Sequence, residues 1–319
     1  MAASVPDPAI SPQAYLQPIG LSPMEANAVL EVAARNNGAV RWQRSPPGCP
    51  PDVYVAHLRS IDLPDDGSDS APPWNVDRYP PRIAVDERGL YQGRPVCLIG
   101  GCESNHLAWN AREAESVGEL NAGLRFAAAQ LSPQRIRYAI GRTAWLNREA
   151  WSTSQLHLLS HGQIMTVIDP AGGLAHLRRS ATAIQVERVA LKVVPARTLA
   201  PSPEFESMPL PAMLWELARR CNDEALPGLL PPALLRGPLV SAHPTATALD
   251  EQGQALLDLL ATGPLSAAQL RERSKLPEAL FMRTLAGMAV TNTVRAQWPS
   301  LSPRHIADRA FGWLRGLRQ

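Results

Sequence analysis

The feature that most constrains this chain is a series of short, nearly unbroken apolar segments in its first hundred residues: Gln13–Ser22, Ala39–Gln43, Asp52–Leu58 ("DVYVAHL") and Pro95–Gly101 ("PVCLIGG"). Continuous apolar character over five to seven residues is what a strand needs when both faces of its sheet are covered, as in parallel sheets. A helix is expected between the first two. Ser22 can cap it, Pro23 suits its first turn, Glu25 stands at the third helical position, and Asn36-Asn37-Gly38 ends it. Ala26, Val29, Leu30 and Ala33 recur at helical spacing. Strand, helix, strand in this order predicts an open parallel sheet with helices on both faces and ligand sites at the carboxyl ends of the strands.

Residues 60–93 read as an acidic, proline-rich irregular insertion holding one hairpin, "RIAVDERGLYQG". After the fourth strand, "ESNHLAWNAREAESVG" reads as a helix. Leu124–Ser132 ("LRFAAAQLS") reads as a fifth strand, and "SPQRIRYAIGRTAWLN" as a helix with Ile136, Ile140 and Ala144 on one face.

With these segments in order, residues 13–147 resemble the receiver domain of bacterial response regulators. "YLQPIGLSPMEANAVLEVAARNN" resembles that family's first strand and helix, "PDVYVAHL" its third strand, "PVCLIGG" its fourth, and "AAAQLSPQRIRYAI" its fifth strand and last helix. The resemblance implies a doubly wound α/β sheet and a role in signal transduction. The family's chemistry is missing. Leu21, Ser22 and Pro23 stand where the family has its Mg²⁺-binding acids, and the phosphoacceptor position falls near His57. Gly100 and Gly101 replace its Ser or Thr, and the lysine position falls near Gln130. Mg²⁺ needs hard oxygen ligands, so the resemblance implies a pseudo-receiver that works without phosphorylation.

Cys102, Glu103 and His106 follow the fourth strand. They admit a catalytic or metal reading, or the plainer one of a core strand ending in a glycine loop that starts a helix. Two ligands do not make a zinc site. The glycine pair at a helix start suits an anion, but no GxxxxGK[ST] pattern accompanies it.

Gln155–Pro195 alternates apolar and polar residues around the turn signal Pro170–Gly173, which predicts a β-rich unit of three or four strands. His157, His161 and His176 are either metal ligands or packed and loop histidines. Arg178 and Arg179, with Arg188 and Lys192, are anion contacts or a solvated strand face. Arg135, Arg137 and Arg142 form a second basic set suited to phosphate, although the three do not share one helical face.

Residues 195–211 are rich in proline and read as a linker. Helices are expected over "AMLWELARRCNDE", "LDEQGQALLDLLATG", "LSAAQLRERSKL" with Ser266 as cap, and "PEALFMRTLAGMAV"; "TNTVRAQ" reads as a short strand. The stretch "GPLSAAQLRERSKLPEALFMRTLAGMAVTNTV" resembles winged-helix or helix-turn-helix domains. This implies either DNA binding or protein docking, with Arg271, Arg273, Lys275 and Arg283 as candidate DNA or partner contacts. Glu278 and Thr284 share the helix that would read the groove. The tail "PRHIADRAFGWLRGLRQ" is a basic amphipathic segment suited to core packing, a partner or a membrane surface.

The expected division is therefore a disordered tail (1–12), a pseudo-receiver (13–150, with the 60–93 insertion), a β-rich segment (151–197), a linker (198–211) and a winged-helix-like domain (212–319). A net charge of +2 across 319 residues gives no field that draws in nucleic acid or membrane as a whole. The four cysteines form no CxxC, which favours a reducing, cytoplasmic setting over a disulfide framework. No apolar run reaches the length of a membrane span. No cofactor is expected, and no catalytic set assembles from the sequence. The expectation is a non-enzymatic signalling adaptor with a protein partner: a signalling protein, a small GTPase or a motility component. The alternatives are a DNA-binding transcriptional regulator, or a cyclic-dinucleotide or other nucleotide effector using Arg135, Arg142, Arg178 and Arg179.

Overall fold

The computed structural model describes residues 11–36, 38–57, 83–85, 95–99, 114–195, 202–242 and 249–297. Its first sheet is built from β1 (Gln13–Ile19), β2 (Arg41–Arg44), β3 (Val53–His57), β4 (Ile83–Val85) and β5 (Pro95–Ile99), in the order β2-β1-β3-β5-β4. The first four in that order run parallel, and β4 pairs antiparallel with β5. The side chains of β1 alternate between two environments. Ala14 and Leu16 join Val53, Val55 and Cys97 in a core under α1 (Pro23–Arg35) and α2 (Ala114–Gln130), whereas Tyr15 packs with Cys49 and Leu280. Helix α1 begins as the sequence predicts: the Ser22 hydroxyl accepts from the Glu25 N–H, and the Glu25 carboxylate accepts from the Ser22 N–H at 2.8 Å. Such a cap stabilises by about 1 kcal/mol.

One expected element is absent. Leu124–Ser132 is not a fifth strand; Leu124–Gln130 belongs to α2 and Ser132 opens α3 (Ser132–Leu146). Leu120, Leu124, Ala127, Ala128 and Leu131 are all buried in the first core, at the three- and four-residue spacing of a helical stripe. The place beside β5 is taken by β4, which comes from inside the 60–93 insertion.

The second sheet is wholly antiparallel: β6 (Ser154–Ser160), β7 (Gln163–Asp169), β8 (Leu174–Arg178), β9 (Ala190–Pro195) and β10 (Phe205–Pro209), in the order β10-β8-β7-β6-β9. The β6–β7 hairpin closes through His161 (φ 49°) and Gly162 (φ 78°), the left-handed pair that a two-residue hairpin turn requires. The short helix α4 (Ala183–Glu187) joins β8 to β9. Strand β10 lies inside the segment expected to be a linker; it pairs with β8 and runs directly into α5 (Leu210–Arg220).

Helix α5 sits in the largest core. Leu210, Met213, Leu214 and Leu217 meet Tyr138, Ile140 and Ala144 of α3 and Leu156, Leu158, Ile168 and Ala175 of the second sheet. At the crossing, a Cβ on Gly141 would stand 2.2 Å from the Met213 carbonyl oxygen. Only glycine permits that approach of the two backbones. After α6 (Pro232–Arg236), β11 (Pro238–Ser241), β12 (Leu265–Ser266) and β13 (Val294–Ala296) form a third sheet of order β12-β11-β13. With it pack α7 (Glu251–Ala261), α8 (Ala267–Ser274) and α9 (Glu278–Val290). Asp250 caps α7, and Ser266 caps α8 in a box with Gln269. Among the described residues, no helix is long and apolar enough to cross a membrane. The molecule is thus a mixed α/β protein with one mainly parallel sheet and two antiparallel ones.

Candidate functional site

Two places stand out once the elements are set: a buried polar network where α5 and α9 meet the first sheet, and a groove along the open edge of the second.

The network begins with Asp52, just before β3, which is 2% exposed. Its carboxylate accepts from both terminal nitrogens of Arg220 at 2.8 and 2.9 Å and from the Tyr15 N–H at 2.8 Å. Arg220 also donates to the Gln13 carbonyl at 3.0 Å and to Glu216, one turn earlier on α5. Burial alone would raise the Asp52 carboxyl; the charge and hydrogen bonds of Arg220 and the Tyr15 N–H overcome it and hold the group below the usual carboxylate range. Burial works against the Arg220 cation too, and Glu216 and Asp52 more than offset it.

Arg283 of α9 completes the weld. Nη1 donates to the carbonyls of Ala218, Arg219 and Cys221, the open end of α5, and Nη2 donates to Gln13 Oε1 at 2.8 Å and to Asp223. A helix leaves its last carbonyls without partners, and a cation there satisfies them. The guanidinium also lies 5.8 Å from the centre of the Tyr15 ring.

Beside this network lies a cleft of about 240 Å³, lined in part by Cys49, Trp215, Arg219, Asp250 and Glu251. It is smaller than the few hundred Å³ of a typical small-molecule site. Burial raises the Cys49 thiol, pushes Cys221 up to about 11 and raises the Tyr15 hydroxyl, so all three stay protonated at neutral pH. The network sits at the amino-terminal ends of β1 and β3, opposite to the carboxyl ends where ligands of open α/β sheets bind.

The structure disperses the residues singled out in the sequence. Arg283 is 5% exposed, whereas a groove-reading side chain has to be accessible; it is an interior connector, not a DNA contact. Arg271, Arg273 and Lys275 are exposed at the end of α8; Arg271 pairs with Glu278 at 3.3 Å, and Lys275 ends the helix at φ 55°. Arg135 is buried and bidentate on Glu187 at 2.8 and 2.7 Å, so its charge is already matched. Arg178 donates to the Ile164 carbonyl, pairs with Glu204 at 3.4 Å and lies over the Phe205 ring, while Arg179 is exposed. Arg142 lines a groove with Leu191 of β9, and two strands separate β9 from β8, which carries Arg178.

His157 and His176 lie in one row across the sheet with Val167 of β7 between them. Two strand spacings put their backbones about 9.5 Å apart, and two ligands do not make a zinc site. Burial lowers both imidazoles, and His176 Nδ1 meets Ser207 Oγ at 2.8 Å. Among the described residues no group of three or more His, Cys, Asp or Glu could hold a metal. Cys102, Glu103, His106, Gly100, Gly101 and the tail from 303 onward lie outside the described residues.

The second place is the edge of β9. On the side facing α3, Leu191 and Val193 stand opposite Leu158 and Leu156, which are fully buried. Leu191 and Val193 are not: they are 41% and 49% exposed. A groove of about 220 Å³ continues from Leu191 between α3 and α4, past Arg142, Leu146, Val186 and Val189. Leu146 is 39% exposed. Among the described residues, β9 stands at the end of the strand order of the second sheet. The sequence showed the apolar alternation of this segment but not which strand would lie at the edge. For the buried network its one local signal was the Glu216–Arg220 spacing of four, which marks an ordinary helical ion pair.

Comparison with known proteins finds no matching family model, no matching curated protein and no matching solved structure.

Proposed function

We propose that this chain is a non-enzymatic adaptor that acts through protein–protein contact and without phosphorylation. The observation that carries the reading is the β9 groove, where exposed apolar side chains stand beside the strand that is last in its sheet among the described residues. Exposed edges invite pairing with another chain, and proteins usually shield them. The receiver-like order of the N-terminal segments supports the signalling side of the proposal, and Leu21, Ser22 and Pro23 in place of the family's acidic residues support its independence from phosphorylation. The Asp52–Arg220–Arg283 network supports it mechanically: it ties the first sheet to α5 and α9, so a partner on one part bears on a rigid whole.

The test is affinity capture with the full chain from lysate of the cells that make it, with and without nuclease, read by mass spectrometry. The expected result is a protein recovered in near-stoichiometric amount and unaffected by nuclease. Recovery that collapses with nuclease would replace the adaptor by a nucleic-acid-binding protein and direct mutation to Arg271, Arg273 and Lys275.

A further inference from the structure

We propose that the cleft beside the buried network binds a free α-amino acid with an apolar side chain, as the zwitterion. Arg219 takes its carboxylate, and Asp250 and Glu251 take its ammonium group. This site goes beyond the adaptor reading and does not depend on it.

The starting point is a contrast among three arginines at the end of α5. Arg220 is closed onto Asp52 and Glu216, and Arg283 is closed onto the helix carbonyls and Asp223. Arg219 lines the cleft and is half-buried. Among the described residues, its guanidinium has no hydrogen-bond or ion-pair partner. Its charge reaches the Cys49 thiol and the Asp52 carboxyl, and acts to lower both. The backbone beneath it is fixed, because the Arg219 carbonyl accepts from Arg283 Nη1 at 3.1 Å. The forked N–H groups of a guanidinium fit a carboxylate with two parallel hydrogen bonds.

Charge of the other sign stands on a different wall. Asp250 and Glu251, at the start of α7, line the same cleft. Asp250 Oδ1 accepts from the Gly253 N–H at 3.0 Å. Glu251 is exposed and, among the described residues, has no ion pair. Arg219 and these acids share a cavity without pairing. A plain anion would meet two carboxylates there, and a plain cation would meet Arg219. A zwitterion satisfies both walls: its ammonium group brings three donors and its carboxylate only acceptors.

The apolar requirement comes from the rest of the lining. Trp215, one turn before Arg219, stands with Pro50 and Leu280. The indole is wedged between two helices: a Cβ on Gly253 of α7 would stand 2.7 Å from Trp215 Cη2, and one on Gly287 of α9 would stand 2.6 Å from Cε3 and Cζ3. A wall fixed in this way has no freedom to lose when a ligand arrives. The cavity of about 240 Å³ falls below the roughly 300–1,000 Å³ of larger ligand pockets. It suits an amino acid better than a nucleotide.

The test is calorimetric titration of the full chain at neutral pH with L-leucine and L-phenylalanine. Each is compared with its amide, which lacks the carboxylate, and with its deaminated acid, which lacks the ammonium group. At least one amino acid is expected to bind with a Kd of about 1 mM or tighter. Removing either charge should weaken it at least tenfold, the scale of a lost hydrogen bond to a charged group. Arg219→Gln should weaken the amino acid at least tenfold and leave the amide unchanged. Glu251→Gln should weaken the amino acid at least threefold, since Asp250 remains, and leave the deaminated acid unchanged. Circular dichroism checks that both variants are folded. Absence of saturable binding by both amino acids up to about 10 mM overturns the proposal. So does a deaminated acid that binds as well as its amino acid, which makes the cleft an anion site, or an amide that does so, which makes it a cation site. Binding that ignores both substitutions also overturns it, because the ligand then sits elsewhere. Neither variant touches the β9 groove, so capture of a protein partner by both variants keeps the adaptor reading separate from this one.

Discussion

Helix α5 and strand β9 place their side chains in opposite ways. Helix α5 takes Glu216 and Arg220 into the interior, 7% and 2% exposed, while β9 leaves Leu191 and Val193 at the surface. Each choice has a cost. A buried charge must be matched by partners of good geometry, and an apolar edge risks unwanted pairing. Around α5 the cost is met within the fold: Arg220 has Asp52, Glu216 and the Gln13 carbonyl, and the carbonyl end of the helix has Arg283. At β9, the last strand of its sheet among the described residues, Leu191 and Val193 stay 41% and 49% exposed. The first region therefore closes its polar groups inside the fold, and the second leaves apolar side chains at the surface.

The sharpest way to break this contrast is to unmatch the buried charges. Arg220→Met leaves Asp52 and Glu216 buried without their cation, and removing one partner of a buried pair costs about 3–5 kcal/mol. Chemical denaturation should show a loss of that order, or no folded protein. Asp52→Asn tests the same pair through pH. The Asp52 carboxyl is held below its ordinary range in the folded chain, so its contribution is complete above the unfolded value near 3.9. It is lost as pH falls from there through the lower folded value. Stability of the native chain should decline below about pH 4, and the Asn variant should show a shallower decline. Equal acid slopes would mean that Asp52 is not the group that couples the first sheet to α5.

A smaller effect is expected from crowding the α3–α5 crossing. Gly141→Ala puts a methyl against the Met213 carbonyl, which neither backbone can yield cheaply, and overpacking costs about 1–3 kcal/mol, sometimes more. Gly118→Ala in α2 meets nothing within 4 Å and replaces a poor helix former by the best, for a gain of up to about 1 kcal/mol. Thermal denaturation should move in opposite directions for the two variants. A shift of the same sign would show that the α3–α5 approach is looser than the geometry indicates.

What was legible in the sequence follows the range of the interactions involved. The caps at Ser22, Asp250 and Ser266 are local, made within three residues, and the helices they open are readable from a few positions. Strands β3 and β5 are readable from their continuous apolar runs, the pattern of a parallel strand covered on two faces, whereas β2 is Arg-Trp-Gln-Arg and carries no such run. Leu124–Ser132 misleads because it is cut as a short apolar stretch, whereas Leu120 before it, with Leu124, Ala127, Ala128 and Leu131, makes the helical stripe. Strand β10 is hidden in a proline-rich stretch because its pairing with β8 is long-range. Arg283 looks like a groove-facing cation because its partners are distant in sequence: Gln13 is 270 positions away and Asp223 is 60. The buried network was invisible for the same reason, and the β9 edge became visible only once the order of five strands was known.

The last and smallest expected effect concerns the edge itself. If β9 is a binding surface and not part of the folding core, Leu191→Ser and Val193→Ser should change stability little, because substitutions at exposed positions away from special features usually stay within about 0.5 kcal/mol. Both side chains keep two-fifths or more of their surface in water, so little apolar burial is lost. The denaturation midpoint should stay near that of the native chain, in contrast to the collapse expected for Arg220→Met. A loss above about 2 kcal/mol, the size of a buried aliphatic side chain, would make Leu191 and Val193 part of the core that α3 covers. The contrast between a closed interior and an open edge would then disappear.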